Sequence, residues 1–258
     1  MNGDVLILGS IDRFRADDVG TSFWHAHSGF QRADGVYGPL IVREYDRNDV
    51  YRNRYDYDLR EHVITVSDWT NMTTLEKFTG HFHNDVDNKA NDILINGMGV
   101  LAAINGTFKT PRATFRVKSG FRYRFRLINA GVLYCPIQFS IDEHNMTIIA
   151  TDGKPVESVV VQSIVIYAGE RFDFILEANQ PATRNYWIKA KGFADCSNYK
   201  CSQLAILSYE DGGQDENASP TAGIQVNDNM TVPGLVFIFL FILIYIFFCL
   251  CLIYVYFL

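Results

Sequence analysis

Two histidines one residue apart, His25 and His27, sit in the stretch FWHAHSGFQRADGVYG, Phe23 to Gly38. In an extended strand, residues i and i+2 project from the same face, so His-x-His sets two imidazoles side by side without help from distant sequence. Imidazole nitrogen suits copper or zinc. A merely polar strand surface would show the same two residues, and the bare spacing leaves both readings open. A second His-x-His, His81 and His83 in GHFHNDVDN, lies among Asn and Asp with no strand pattern and reads as an exposed loop.

The surroundings of His25 and His27 are more specific than the pair itself. Gly20, Thr21, Phe23, Trp24, His25, His27, Gly29, Gln31, Arg32, Asp34 and Gly35 follow in an order that resembles one of the four copper-ligand motifs of the multicopper oxidases, the laccase and ferroxidase family. The insect-type laccases look nearest. DILINGMG, RYRFRLINAG, YAGERFDF and NYWIKA resemble the family's second domain, so the resemblance runs from about Phe14 to Tyr209. It implies a copper cofactor, with His25 and His27 giving one imidazole to each copper of a coupled pair in a three-copper cluster. It also implies a reaction in which phenols or metal ions lose single electrons and oxygen is reduced to water, so that oxygen and a reducing substrate are partners.

Other parts of that machinery are not found in this sequence. No HWHG-type motif precedes Phe14, no HPxHxH follows, and none of the five cysteines has a histidine neighbour. The electron-entry copper of the family depends on a soft thiolate, for which nothing else here substitutes. The expectation is weak copper binding and no oxidase activity in the chain by itself, with missing cupredoxin domains as its natural partners. The alternative is a non-catalytic, membrane-tethered cupredoxin module used for binding.

The formal net charge of −6 over 258 residues gives no sign of a nucleic-acid partner. In FRYRFRLI, aromatic Phe121, Tyr123 and Phe125 alternate with Arg122, Arg124 and Arg126. Such interleaving can bind single-stranded nucleic acid, but a half-exposed antiparallel strand with one apolar and one basic face explains it better in an acidic chain. Acceptor triplets for N-glycosylation at Asn71, Asn105, Asn145 and Asn229, with a weaker one at Asn217, point to the secretory route and a body outside the cell. Met1 to Ser10 shows no leader, which suggests an N-terminus further upstream. Cys196 and Cys201 can bridge a short loop, leaving Cys135 over.

Short alternating runs with turn residues between them, and no helical period, predict an all-β protein. Cupredoxin-like Greek-key sandwiches follow, one partial and one near complete. Strands are expected at FRA from Phe14, in the TSFWHAH run, at Pro39 to Val42 and at His62 to Trp69. More are expected at Phe115 to Val117, Phe121 to Ile128, Ile137 to Ile141, Met146 to Ala150, Val159 to Tyr167, Phe172 to Leu176, Asn185 to Ala190 and Gln203 to Tyr209. The domains read as 1–45 for the end of a first plastocyanin-like domain, 46–60 as a surface linker, 61–210 as the second domain and 211–234 as a polar linker. Residues 235–258 hold no charge and, as a C-terminal hydrophobic helix, would span about 36 Å, enough for a membrane.

Overall fold

The computed structural model describes residues 14–70, 72–78, 90–100, 111–133, 135–193, 196, 201–213 and 220. The chain is all-β. The first two strands, β1 (Gly20–His25) and β2 (Tyr37–Val42), pair antiparallel with Thr21 opposite Ile41 and Trp24 opposite Gly38. After them come β3 (Val63–Trp69), β4 (Asp92–Ile95), β5 (Thr114–Val117), β6 (Arg122–Asn129), β7 (Ile137–Ile141) and β8 (Met146–Thr151). The set closes with β9 (Lys154–Val161), β10 (Ser163–Ile166), β11 (Arg171–Glu177), β12 (Tyr186–Gly192) and β13 (Ser202–Tyr209).

Two sheets form the sandwich. One has the order β4-β3-β6-β11-β8-β9 and the other β10-β7-β12-β13-β5. Phe125 and Phe174 stack at 5.5 Å on adjacent strands of the first sheet, and Phe139 of the second sheet lies 6.1 Å from Phe174 across the core. All three are fully buried, and each contributes about 1.5–3 kcal/mol relative to exposure.

Phe14, Arg15 and Ala16 are not in a strand. The run expected as one strand from Val159 to Tyr167 divides between β9, which pairs with β8 in one sheet, and β10, which pairs with β7 in the other. A strand that changes sheets needs a break in its ladder, and Gln162 supplies it. Residues 235–258, read above as a hydrophobic helix, lie outside the described residues. Among the described residues no helix is long and apolar enough to cross a membrane.

The basic face of β6 is not half-exposed. Arg124 and Arg126 are only 9% and 1% exposed, because the linker before β3 lies over them and β1 packs alongside. Asp49 pairs with Arg124 at 3.0 Å, Asp56 with Arg122 at 2.9 Å and Asp58 with Arg126 at 2.6 Å. Asp173 on β11 joins both buried arginines, at 2.5 and 3.0 Å. A linker poor in apolar residues thus still packs, because its carboxylates meet guanidinium groups that burial would otherwise leave unpaired.

Candidate metal centre

His25 ends β1, and the ladder runs one step further through Ala26 N–H to Val36 O at 2.9 Å, which keeps the chain extended up to His27. The two imidazoles lie side by side, with ring centroids 5.8 Å apart and planes 30° from parallel. His25 Nδ1 lies 3.0 Å from the Ala26 carbonyl oxygen. A carbonyl only accepts, so Nδ1 carries the proton and Nε2 keeps the lone pair that a metal would use.

Trp24 does not turn into a core, as the burial of apolar residues would suggest. It is 53% exposed and lies across Gly38, where a Cβ would come within 2.7 Å of the indole Nε1. The face of the β1–β2 pair opposite the histidines has no second sheet over it among the described residues, so Trp24 packs on its own neighbour.

Both histidines line a cleft of about 460 Å³, whose other walls include Arg32, Thr74, Lys77 and Phe78 together with Val132 and Leu133. The turn after the histidines anchors this arrangement to the sandwich. Arg32 donates from Nε and Nη2 to the carbonyls of Ala130 and Gly131 at 3.0 and 2.9 Å, and stacks 5.1 Å over Phe23. Asp34 Oδ1 accepts from the backbone N–H and the hydroxyl of Thr74 at 2.8 and 2.6 Å. The Tyr37 and Ser67 hydroxyls share a hydrogen bond of 2.7 Å. Beside the cleft, Asp68 accepts from Val132 and Leu133 N–H at 3.0 and 2.6 Å. Burial pushes its carboxyl above the usual range despite those bonds and the nearby Arg32, and burial likewise lowers the Arg32 guanidinium against the pull of Asp68.

Arg32 and Asp34 entered the sequence reading only as motif residues, and Asp68 and Thr74 carried no role there. The sequence held one usable signal, since Thr73-x-x-Glu76 is a capping-box pattern that marks a helical start at this wall. Among the described residues no group of three or more His, Cys, Asp or Glu converges as a metal site. Two imidazoles in a cleft do fit copper by donor type, and side-by-side rings suit one nitrogen to each of two ions.

His81, His83, Asn71, Asn105 and Asn229 lie outside the described residues. Asn145 is exposed at the turn between β7 and β8. The cysteine pairing differs from the expectation: Cys196 bonds to Cys135, and Cys201 is the free, buried thiol among the described residues. Sixty-one residues separate the bonded pair, but Gly192 at the end of β12 pairs with Ile137 at the start of β7, and Phe193 N–H donates to Pro136 O. Sheet pairing therefore brings Cys196 to Cys135, which no local spacing shows. Burial pushes the Cys201 thiol up to about 12.

Residues 60–212 match a family model described as multicopper oxidase, and residues 11–47 match a second model of the same description. The chain belongs to the multicopper oxidase family. It is 39% identical over 212 residues to Laccase-4 of Thanatephorus cucumeris, covering 79% of this chain and 38% of the relative. It is 42% identical over 210 residues to Laccase-5 of Trametes villosa, covering 80% of this chain and 36% of the relative. The crystal structure of the laccase from Botrytis aclada is 27% identical, with a TM-score of 0.62 over 82% of this chain and 38% of that one. Fet3p, a multicopper oxidase that functions in iron import, shares the fold at 19% identity with a TM-score of 0.65 over 84% of this chain and 38% of that one. This multicopper oxidase chain therefore spans well under half the length of these relatives, which lend no support to an insect-type subgroup.

Proposed function

We propose that the chain is a section of a copper-dependent oxidase that couples one-electron oxidation of phenols or metal ions to the reduction of oxygen to water. The observation that carries this reading is the pair of imidazoles 5.8 Å apart on one wall of a cleft, with His25 Nε2 free to bind. Each imidazole is assigned to one copper of a coupled pair, where bound copper would supply the electron and oxygen chemistry. The chain's own residues hold the rings in place: the Ala26 carbonyl orients His25, and Arg32 and Asp34 fix the turn that follows His27.

On this reading residues 1–45 close a first plastocyanin-like domain, 46–60 are a linker, 61–210 form the second domain, 211–234 are a polar linker and 235–258 a hydrophobic segment. No cysteine in this sequence has a histidine neighbour, so the electron-entry copper and the remaining imidazoles fall to cupredoxin domains that are partners of this one. The body is placed outside the cell with glycans at Asn71, Asn105, Asn145 and Asn229, and residues 235–258 are where membrane attachment would occur.

Copper binding tests the assignment. Addition of Cu²⁺ to the full chain is expected to give an electron paramagnetic resonance spectrum with nitrogen coupling that disappears in the His25→Ala/His27→Ala double variant. An identical spectrum in that variant overturns the assignment.

A further inference from the structure

The geometry points to Asp34 as a positioning residue that holds residues 74–78 in place as the far wall of the cleft, and so sets access to the half-buried His25, whereas His27 is exposed. The proposal rests on the copper reading only for what the wall encloses. Three side chains at alternate positions of the turn after the histidines each grip a different part of the second sandwich. Phe30 packs on Phe78 with ring centroids 4.4 Å apart. Arg32 holds the carbonyls of Ala130 and Gly131, directly before cleft residues Val132 and Leu133. Asp34 takes both the backbone N–H and the hydroxyl of Thr74 on one carboxylate oxygen.

Residues 74–78 form a single helical turn, which has too few internal hydrogen bonds to persist by itself. Its start is closed locally: Thr73 N–H and Oγ1–H donate to Glu76 Oε2 at 3.1 and 2.7 Å, and Glu76 N–H donates back to Thr73 Oγ1 at 3.4 Å. That box defines the turn but does not fix it against the histidines. Asp34 does, from forty residues earlier in the chain, and its negative charge also suits a helix N-terminus. Thr74 and Lys77 are buried on the cleft side, and Leu75 is 63% exposed on the other.

The experiment uses the full chain as wild type and as Asp34→Ala, Asp34→Asn and Thr74→Val. It follows carbethoxylation of His25 and His27 by diethylpyrocarbonate with peptide mass spectrometry, and amide hydrogen exchange of residues 74–78. Asp34→Ala and Thr74→Val are expected to raise the rate at His25 and the exchange of residues 74–78 on the order of fivefold, the equivalent of about one ordinary hydrogen bond, with exposed His27 little changed. Asp34→Asn, whose carbonyl oxygen still accepts, is expected to stay near wild type. Buried His144, which lines no part of the cleft, is the control for general loosening. Unchanged rates in Asp34→Ala, or an equal rise at His144, overturn the proposal. In a separate arm, Cu²⁺ is added to wild type: failure to protect His25 and His27 sinks the copper reading and leaves the result on the wall intact.

Discussion

Arg126 and Asp58 meet as a two-pronged pair, Nε to Oδ1 at 3.0 Å and Nη2 to Oδ2 at 2.6 Å, with the arginine side chain 2% exposed. Arg126 also donates from Nη1 to Thr21 Oγ1 at 2.7 Å and to Asp173 Oδ2 at 3.0 Å. One guanidinium thus ties the linker, the strand that carries His25 and the second sandwich together. Removing Asp58 leaves Nε and Nη2 of the buried guanidinium without their acceptors and, among the described residues, only Asp173, shared with Arg124, facing its charge. Asp58→Ala is expected to cost about 3 kcal/mol in urea unfolding of the full chain; a loss within the range of ordinary surface substitutions would contradict this. Burial alone would raise the Asp58 carboxyl, but the hydrogen bonds and charge of Arg126 outweigh it and hold the carboxyl below its usual value of 3.8. The pair's stabilisation is therefore complete above about pH 4 and is lost as pH falls below that.

Gly20 has φ +125°, and a Cβ there would lie 2.2 Å from the carbonyl oxygen of Gly153. Backbone on both sides leaves nothing flexible to move. Gly20→Ala is expected to cost more than about 2 kcal/mol, from strain and from loosening of β1 against β11. Thermal unfolding compared with Ala substitution at Gly29, where nothing lies within 4 Å of the added Cβ, separates the close approach from the effect of positive φ.

The Cys135–Cys196 bond and the buried Cys201 thiol give a chemical signature. Non-reducing peptide mapping is expected to recover the Cys135 and Cys196 peptides joined. Cys201 is expected to resist a thiol reagent at pH 8 until denaturant is added, because burial keeps it protonated well above that pH. Joined Cys196 and Cys201 peptides would show that the local bridge forms instead. Cys135→Ser is expected to cost about 2–5 kcal/mol.

His144 is buried between strands, with Nδ1–H donating to the Asp142 carbonyl at 2.7 Å and Nε2 accepting from the Tyr209 hydroxyl at 2.7 Å. Burial lowers its pKa from the ordinary 6.5, outweighing the bond to Asp142 and the pull of Glu143 and Asp142. The neutral ring is the folded form, so its contribution is present above pH 6.5 and is lost as pH falls below it. One such proton gives a slope of at most about 1.4 kcal/mol per pH unit. His144→Asn is expected to reduce the slope of stability against pH between about pH 6.5 and 5; an unchanged slope would locate the titration elsewhere, with His62 the next candidate.

The period of two in VITVSDW and the order of residues around His25 and His27 were enough for an all-β chain, most of its strands and the family, because alternation and short motifs are local properties. Where faces lie relative to one another was not local. The same alternation that marked β6 as a strand says nothing of what covers its arginines, and carboxylates up to 75 residues away in the linker decided that. Cys196 found its partner through the pairing of β7 with β12, which a spacing rule that looks five residues ahead does not see. The imidazole pair was legible as a pair, but the cleft around it was not: its walls come from Arg32, Thr74 and Leu133, brought together only when the first hairpin docks on the second sandwich. Side-chain direction along one strand follows from backbone geometry, whereas enclosure depends on contacts between elements that sequence order keeps apart.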